Sequence, residues 1–347
     1  MRSTNKECLD NSAFVKTILM LCVIAYHSMV FWTGTWWDME IGVPSKGVSY
    51  LANWLNSFHV YAFALVSGYL FAFKTMRGEY RDYGSFCASK AKRLIIPYCF
   101  VALIWLIPIN IVLFKPNVET IVKSYLLCIS PDQLWFLWML FGVFIMVWPM
   151  RKVLLDKPMV GWAVSIILYG VGILGKRIIP NVFCVWTACQ YVLFFYIGMR
   201  IRVKEEKQEK QVIESIPCYL WIMVDLVVFA GTIIAGRHSG TLWSMIVIGL
   251  NLILHIIGSI MAWTTLQAIA NKVKWKNSKP FKTLSSYSMP MYLFHQQIIY
   301  FTIIWLNGKA NPWIHAGVNF VAAIIGSFLI SSILMRWKTT RFLIGEK

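Results

Sequence analysis

KTILMLCVIAYHSMVFW, residues 16–32, decides the fold class. It opens on Lys16 and runs almost without polar side chains to Trp32, long enough to cross the hydrocarbon core of a bilayer as a helix. Runs of the same kind recur at 13–33, 51–73, 94–114, 134–150, 159–175, 182–199, 217–236, 243–265, 285–306 and 314–335. They predict an all-α fold, a polytopic membrane helical bundle of about ten transmembrane helices with both termini on one side. The composition agrees: 58% of the 347 residues are apolar and 14% are charged, where a soluble domain carries about a quarter charged. A water-soluble enzyme, a disordered chain and a collagen-like fibre are excluded. Ten spans of ~20 residues take up ~200 residues, so residues 1–347 read as one membrane-embedded domain with no separate soluble domain.

The formal charge of +18 would suggest nucleic acid in a soluble protein. Here the loops explain it. With the N-terminus inside, the inner segments hold 26 of the 33 Lys and Arg residues. The outer ones hold seven: Lys46, Lys115, Lys123, Lys176, Arg177, Arg237 and Lys309. This alternation follows the positive-inside rule at every loop. It predicts cytoplasmic termini in a cell (inner or plasma) membrane and no nucleic-acid partner. The eight cysteines form no CxxC pair and no Cys/His cluster at metal spacing, so neither a metal nor a required disulfide is expected. Segment 116–133 is too polar to span and suggests a helix lying at the outer interface. Segment 200–216 reads as a charged inner connector.

Ionisable groups inside spans are costly, ~2.5–3.5 kcal/mol on insertion scales, so they face the bundle interior and often mark function. His27 is the sharpest case. A neutral imidazole can take a proton from a hydroxyl near neutral pH; the alternative is a histidine satisfied by a neighbouring helix. Lys16 lies eleven residues earlier. Eleven steps of ~100° return to within ~20° of the same face, ~16 Å along the axis. One helix face therefore carries a cation at the inner surface and an imidazole well above it.

His59 opens the second span, ahead of Ser67-Gly68-Tyr69, where a small residue lets helices approach. His295 follows Pro290, which should kink the ninth span. His255 pairs with Asn251 at i,i+4 and suits interhelical hydrogen bonding. Asp225 suits a buried partner. His238 and His315 read as solvated loop-edge residues. The basic run Lys90, Lys92, Arg93 serves either topology or the clamping of a polyphosphorylated ligand. Trp36 and Trp37, beside Asp38 and Glu40, are interface anchors or a sugar platform.

Taken in order, these pieces resemble the acyltransferase-3 family of bacterial membrane acyltransferases. Five blocks carry the resemblance: Lys16 and His27 with ten residues between them; FHVYAFALVSGYLF, 58–71; KAKRLIIPY, 90–98; LWFLW, 134–138; and SYSMPMYLFH, 286–295. Many members have Arg where Lys16 and Lys90 stand, and an acidic residue where Ala13 stands. Lysine keeps the charge and loses the bidentate fork.

The resemblance implies an O-acyltransferase that moves an acyl group, usually acetyl, from acyl-CoA to a hydroxyl of a cell-envelope or exported polysaccharide or its lipid-linked precursor. Acetyl-CoA is then a donor substrate, and no cofactor is bound tightly. The partners are acyl-CoA, a glycan or lipid-linked sugar acceptor, and the lipid bilayer. His27 carries over as the catalytic imidazole, and Lys16, Lys90 and Arg93 as the donor's basic positions. His59, His295 and Tyr69 are candidates to orient the acceptor or polarise the carbonyl. The competing class is a multi-pass transporter of a small metabolite, with His27 lining the path. Acceptor, chain length and oligomeric state stay open at this stage.

Overall fold

The computed structural model describes residues 2–80, 82–209 and 212–346, and the side chains of all of these but 2–5, 212 and 214. Among the inner basic residues, Arg81, Lys210 and Lys347 lie outside the described residues, as does the side chain of Arg2. The described residues form helices and no strand. In chain order these are α1 Arg2–Met29, α2 Lys46–Met76, α3 Tyr83–Val101, α4 Ile107–Phe114, α5 Trp135–Asp156, α6 Pro158–Ile178 and α7 Val185–Glu206. Then come α8 Cys218–Ala235, α9 Thr241–Lys272, α10 Lys279–Ser286, α11 Ser288–Leu306, α12 Pro312–Leu334 and α13 Lys338–Leu343.

Nine stretches of the described residues are long and apolar enough to cross a membrane, from Lys6–Thr33 to Pro312–Leu334. The tenth expected span, 285–306, becomes α11, whose centre His295-Gln296-Gln297 is polar and fully enclosed by the bundle. The third span is α3 and α4 joined by a π-helical turn at Ala102–Leu106. That turn precedes Pro108, which has no N–H to continue the ladder. Asp82 caps α3 by accepting the Ser85 N–H at 2.8 Å, and those amide contacts hold its carboxyl below the ordinary range.

The bundle is organised around α2, which packs on α1, α7 and α9. Its tightest crossing is with α7. A Cβ placed on Gly68 would lie 1.8 Å from the Phe195 carbonyl oxygen, and one on Gly198 would lie 1.9 Å from that of Leu65. Two facing glycines therefore let the two backbones touch. Apolar side chains such as Val227 and Leu329 point outward from α8 and α12. In water this would be a liability; in lipid it is the required surface.

Several local expectations are corrected. Pro290 does not kink a span: it lies in the first turn of α11, where its missing N–H would have no helical partner. Segment 116–133 forms the expected helix only in part, over Val118–Ile121 and the π-helical Val122–Leu126 that continues it, and then bends into the turn Asp132–Leu134. His315 is not solvated; it is buried against Trp32, with ring centroids 5.0 Å apart. Two expectations hold: His255 bonds between helices, its Nδ1 meeting the Ser57 carbonyl of α2 at 2.8 Å rather than Asn251. Asp225 has its buried partner in Trp54, whose indole N–H donates to Oδ2 at 2.7 Å.

Candidate active site

A cavity of about 910 Å³ lies within the bundle. At the end that holds both termini it is lined by Lys16, Lys74, Lys90, Arg93 and Glu346. His27, His59 and Tyr26 line its middle, and Trp36, Asp132, Trp135 and Tyr300 line it toward the other end. Lys16 and His27 share one wall because both project from the same face of α1. A smaller cavity of about 270 Å³ shares Ser130, Asp132 and Trp135 with the first and continues to Asn181, Thr187 and Gln190.

The hydrogen bonds around His27 fix its proton. His295 Nδ1 lies 2.7 Å from the Tyr292 carbonyl oxygen. A carbonyl only accepts, so His295 Nδ1 carries the proton and its Nε2 is left as an acceptor. That Nε2 lies 3.0 Å from His27 Nδ1, which also lies 3.1 Å from the Val23 carbonyl oxygen. His27 Nδ1 is thus the donor. In the neutral ring the lone pair is then on Nε2, which has no hydrogen-bond partner among the described residues, on a ring that lines the cavity. The arrangement is a two-histidine chain anchored on a backbone carbonyl, with a basic nitrogen at the open end.

His295 itself is fully buried and lies outside the cavity lining. It cannot touch an acceptor or a thioester carbonyl there. His59 does line the cavity, and its Nδ1 donates to the Leu55 carbonyl at 2.6 Å, so its Nε2 is also an acceptor. It is therefore not placed to polarise a carbonyl, which needs a donor. Tyr26 sits between the two rings, 4.9 Å from His27 and 5.1 Å from His59. Tyr69 leaves the site altogether. Its hydroxyl donates to Glu205 at 2.5 Å beside Arg202 and Cys8, because Gly68 draws that turn of α2 against α7.

The turn Asp132–Leu134, just ahead of α5, braces α11 around His295. Gln133 Nε2 donates to the Leu293 carbonyl at 3.1 Å and to Gln297 at 2.9 Å, and the Tyr292 hydroxyl donates to the Gln133 carbonyl. Asp132 accepts from Tyr125 at 2.5 Å and from Asn110 at 2.7 Å. Burial and this carboxylate push the Tyr125 phenol well above its usual range. Trp36, in the loop before α2, stacks on Tyr300 at 4.8 Å and lies 6.2 Å from the His27 ring.

At the basic end, Lys90 Nζ stands 3.8 Å from the Phe144 ring centre, within reach of Phe86 and Tyr80. Lys74 pairs with Glu79 at 3.1 Å. Burial raises the Glu346 carboxyl from its ordinary range, while Arg93 and Lys16 pull it back down. Lys74 and Glu346 carry no motif and were reachable only through the fold. The Gln133 brace was signalled only by its place before LWFLW.

Residues 10–336 match the model of the acyltransferase-3 family, an acyltransferase domain. The chain belongs to the acyltransferase-3 family. Comparison with curated proteins and with solved structures finds no significant match. This family member is a multi-pass membrane acyltransferase. Within it, the sequence candidates divide by position: His27 and His59 with Lys16, Lys90 and Arg93 line one cavity, His295 stands behind His27, and Tyr69 lies apart.

Proposed function

We propose that this acyltransferase takes an acetyl or other short acyl group from acyl-CoA at the basic end of the cavity. It passes the group to a hydroxyl of a cell-envelope or exported polysaccharide or its lipid-linked precursor. The cation-rich end suits the phosphates of CoA, and the loop charge distribution favours a cytosolic location for it. The pantetheine arm then follows the cavity toward His27. The acceptor comes from the opposite end, past Trp36, Asp132 and Trp135, whose aromatic faces and carboxylate suit a sugar ring.

His27 Nε2 takes the proton of the acceptor hydroxyl as the oxygen attacks the thioester carbonyl. The imidazolium that forms is stabilised through its Nδ1–H bond to His295. The tetrahedral intermediate collapses, the C–S bond breaks, and the CoA thiolate takes the proton back from Nε2. The Tyr26 hydroxyl, on a ring 4.9 Å from that of His27, donates to the transient oxyanion, and His59 Nε2 accepts from a neighbouring hydroxyl of the acceptor. His295 is a positioning residue.

The observation that carries this reading is the open Nε2 of a histidine whose other nitrogen is fixed, in a cavity that continues to Lys16, Lys90 and Arg93. A cavity of this length inside a membrane bundle also suits a transporter of a small metabolite. Comparison of envelope glycans by mass, from cells with and without the gene, separates the two. Loss of acetyl groups from a glycan supports transfer. Unchanged glycans together with loss of uptake of a small metabolite support transport.

A further inference from the structure

The cation-rich end of the cavity already contains an anion. Lys74 is paired with Glu79, and Lys90 is held over three aromatic rings. Lys16 and Arg93 make no ion pair within 4 Å among the described residues. Glu346 lines the cavity together with both, and their charges pull its carboxyl down against the effect of burial.

The chain brings Glu346 there by an ordered path. After α13 the backbone turns back on α3: Ile344 N–H donates to the Thr340 carbonyl at 3.0 Å, Gly345 N–H to Phe342 at 3.1 Å, and Glu346 N–H to Arg341 at 3.0 Å. Ile344 is completely buried in the main apolar core. Gly345 takes φ +81°, and a Cβ there would lie 2.8 Å from the Pro97 ring and 2.9 Å from the Arg93 carbonyl oxygen. Only glycine allows that approach. The tail is thus anchored by one apolar side chain and one left-handed turn. Glu346 lines the cavity and makes no ion pair within 4 Å among the described residues.

We propose that Glu346 is an internal counter-ion of the basic end, which an incoming diphosphate must displace, so that the tail after α13 regulates occupancy of the donor site. The inference rests on the acyl-CoA reading for the identity of the ligand, and on geometry alone for the exchange. An anion held near two cations without direct contact neutralises them in the empty protein yet yields to a ligand that carries more charge and several acceptor oxygens.

The test uses the full chain in nanodiscs, with CoA and inorganic pyrophosphate as separate probes in equilibrium binding. Glu346→Gln keeps the shape and removes the charge, and it should tighten both Kd values about tenfold. Glu346→Asp keeps the charge and should stay near the wild-type value. Unchanged or weaker binding of both probes by Glu346→Gln overturns the counter-ion role. Glu346→Ala repeats the test should the glutamine variant fail to accumulate. Pyrophosphate that tightens while CoA binds neither form leaves the counter-ion standing and removes the acyl-CoA reading. CoA that binds both forms equally does the reverse. Failure of both probes to bind either form removes the anion site itself.

Discussion

Replacing His295 with leucine removes the nitrogen that His27 Nδ1 faces at 3.0 Å without touching the cavity wall, since His295 does not line it. Between two neutral imidazoles such a hydrogen bond is worth about 1 kcal/mol. When His27 accepts the acceptor's proton, the same bond becomes charge-assisted, worth about 1.5–3 kcal/mol. The leucine variant should therefore lose the difference between the two, about 0.5–2 kcal/mol, a drop in kcat of roughly 2- to 30-fold. KM for the donor should stay where it is. His295→Gln offers an amide oxygen to His27 and an amide N–H to the Tyr292 carbonyl, and should recover part of the loss. Acyl transfer from labelled acetyl-CoA, followed in nanodiscs alongside the thermal midpoint, measures each effect. Wild-type kcat in His295→Leu, or a loss confined to KM, would refute the two-histidine chain.

Two further outcomes follow from the same geometry. Lys90→Ala combined with Arg93→Ala should raise the donor KM by roughly tenfold or more with a smaller effect on kcat, read from initial rates against acetyl-CoA concentration; an unchanged KM would count against the basic end as the donor site. Gly68→Leu should lower the thermal midpoint sharply or abolish accumulation, because even a Cβ would fall 1.8 Å from the Phe195 carbonyl and overpacking costs about 1–3 kcal/mol or more. Gly170→Leu, with open space around it, is the tolerant control.

The architecture was legible in the sequence because lipid imposes a simple rule: each span must be apolar for about 20 residues. The rule fails in an informative way at 285–306. His295, Gln296 and Gln297 are tolerated in α11 because neighbouring helices enclose them. The Lys16–His27 face was legible from helix periodicity, and both residues do line one cavity. The standing of His295 behind His27, rather than beside it, depends on the rotation of α11 against α1. No single-helix pattern encodes that. Tyr69 was misplaced for a related reason: its neighbour Gly68 signals close packing, and close packing with α7 carries the hydroxyl to Glu205 and Arg202. Glu346 was invisible because a lone acid near a chain end carries no pattern, and only the turn at Gly345 delivers it to Lys16 and Arg93.

The most direct measurement compares the wild-type protein with His27→Ala in nanodiscs, supplied with labelled acetyl-CoA and the isolated envelope glycan. The open imidazole nitrogen predicts that the alanine variant folds and still binds CoA, yet loses acyl transfer by at least about a hundredfold, as removal of a general base does. Turnover at the wild-type rate by His27→Ala would contradict it.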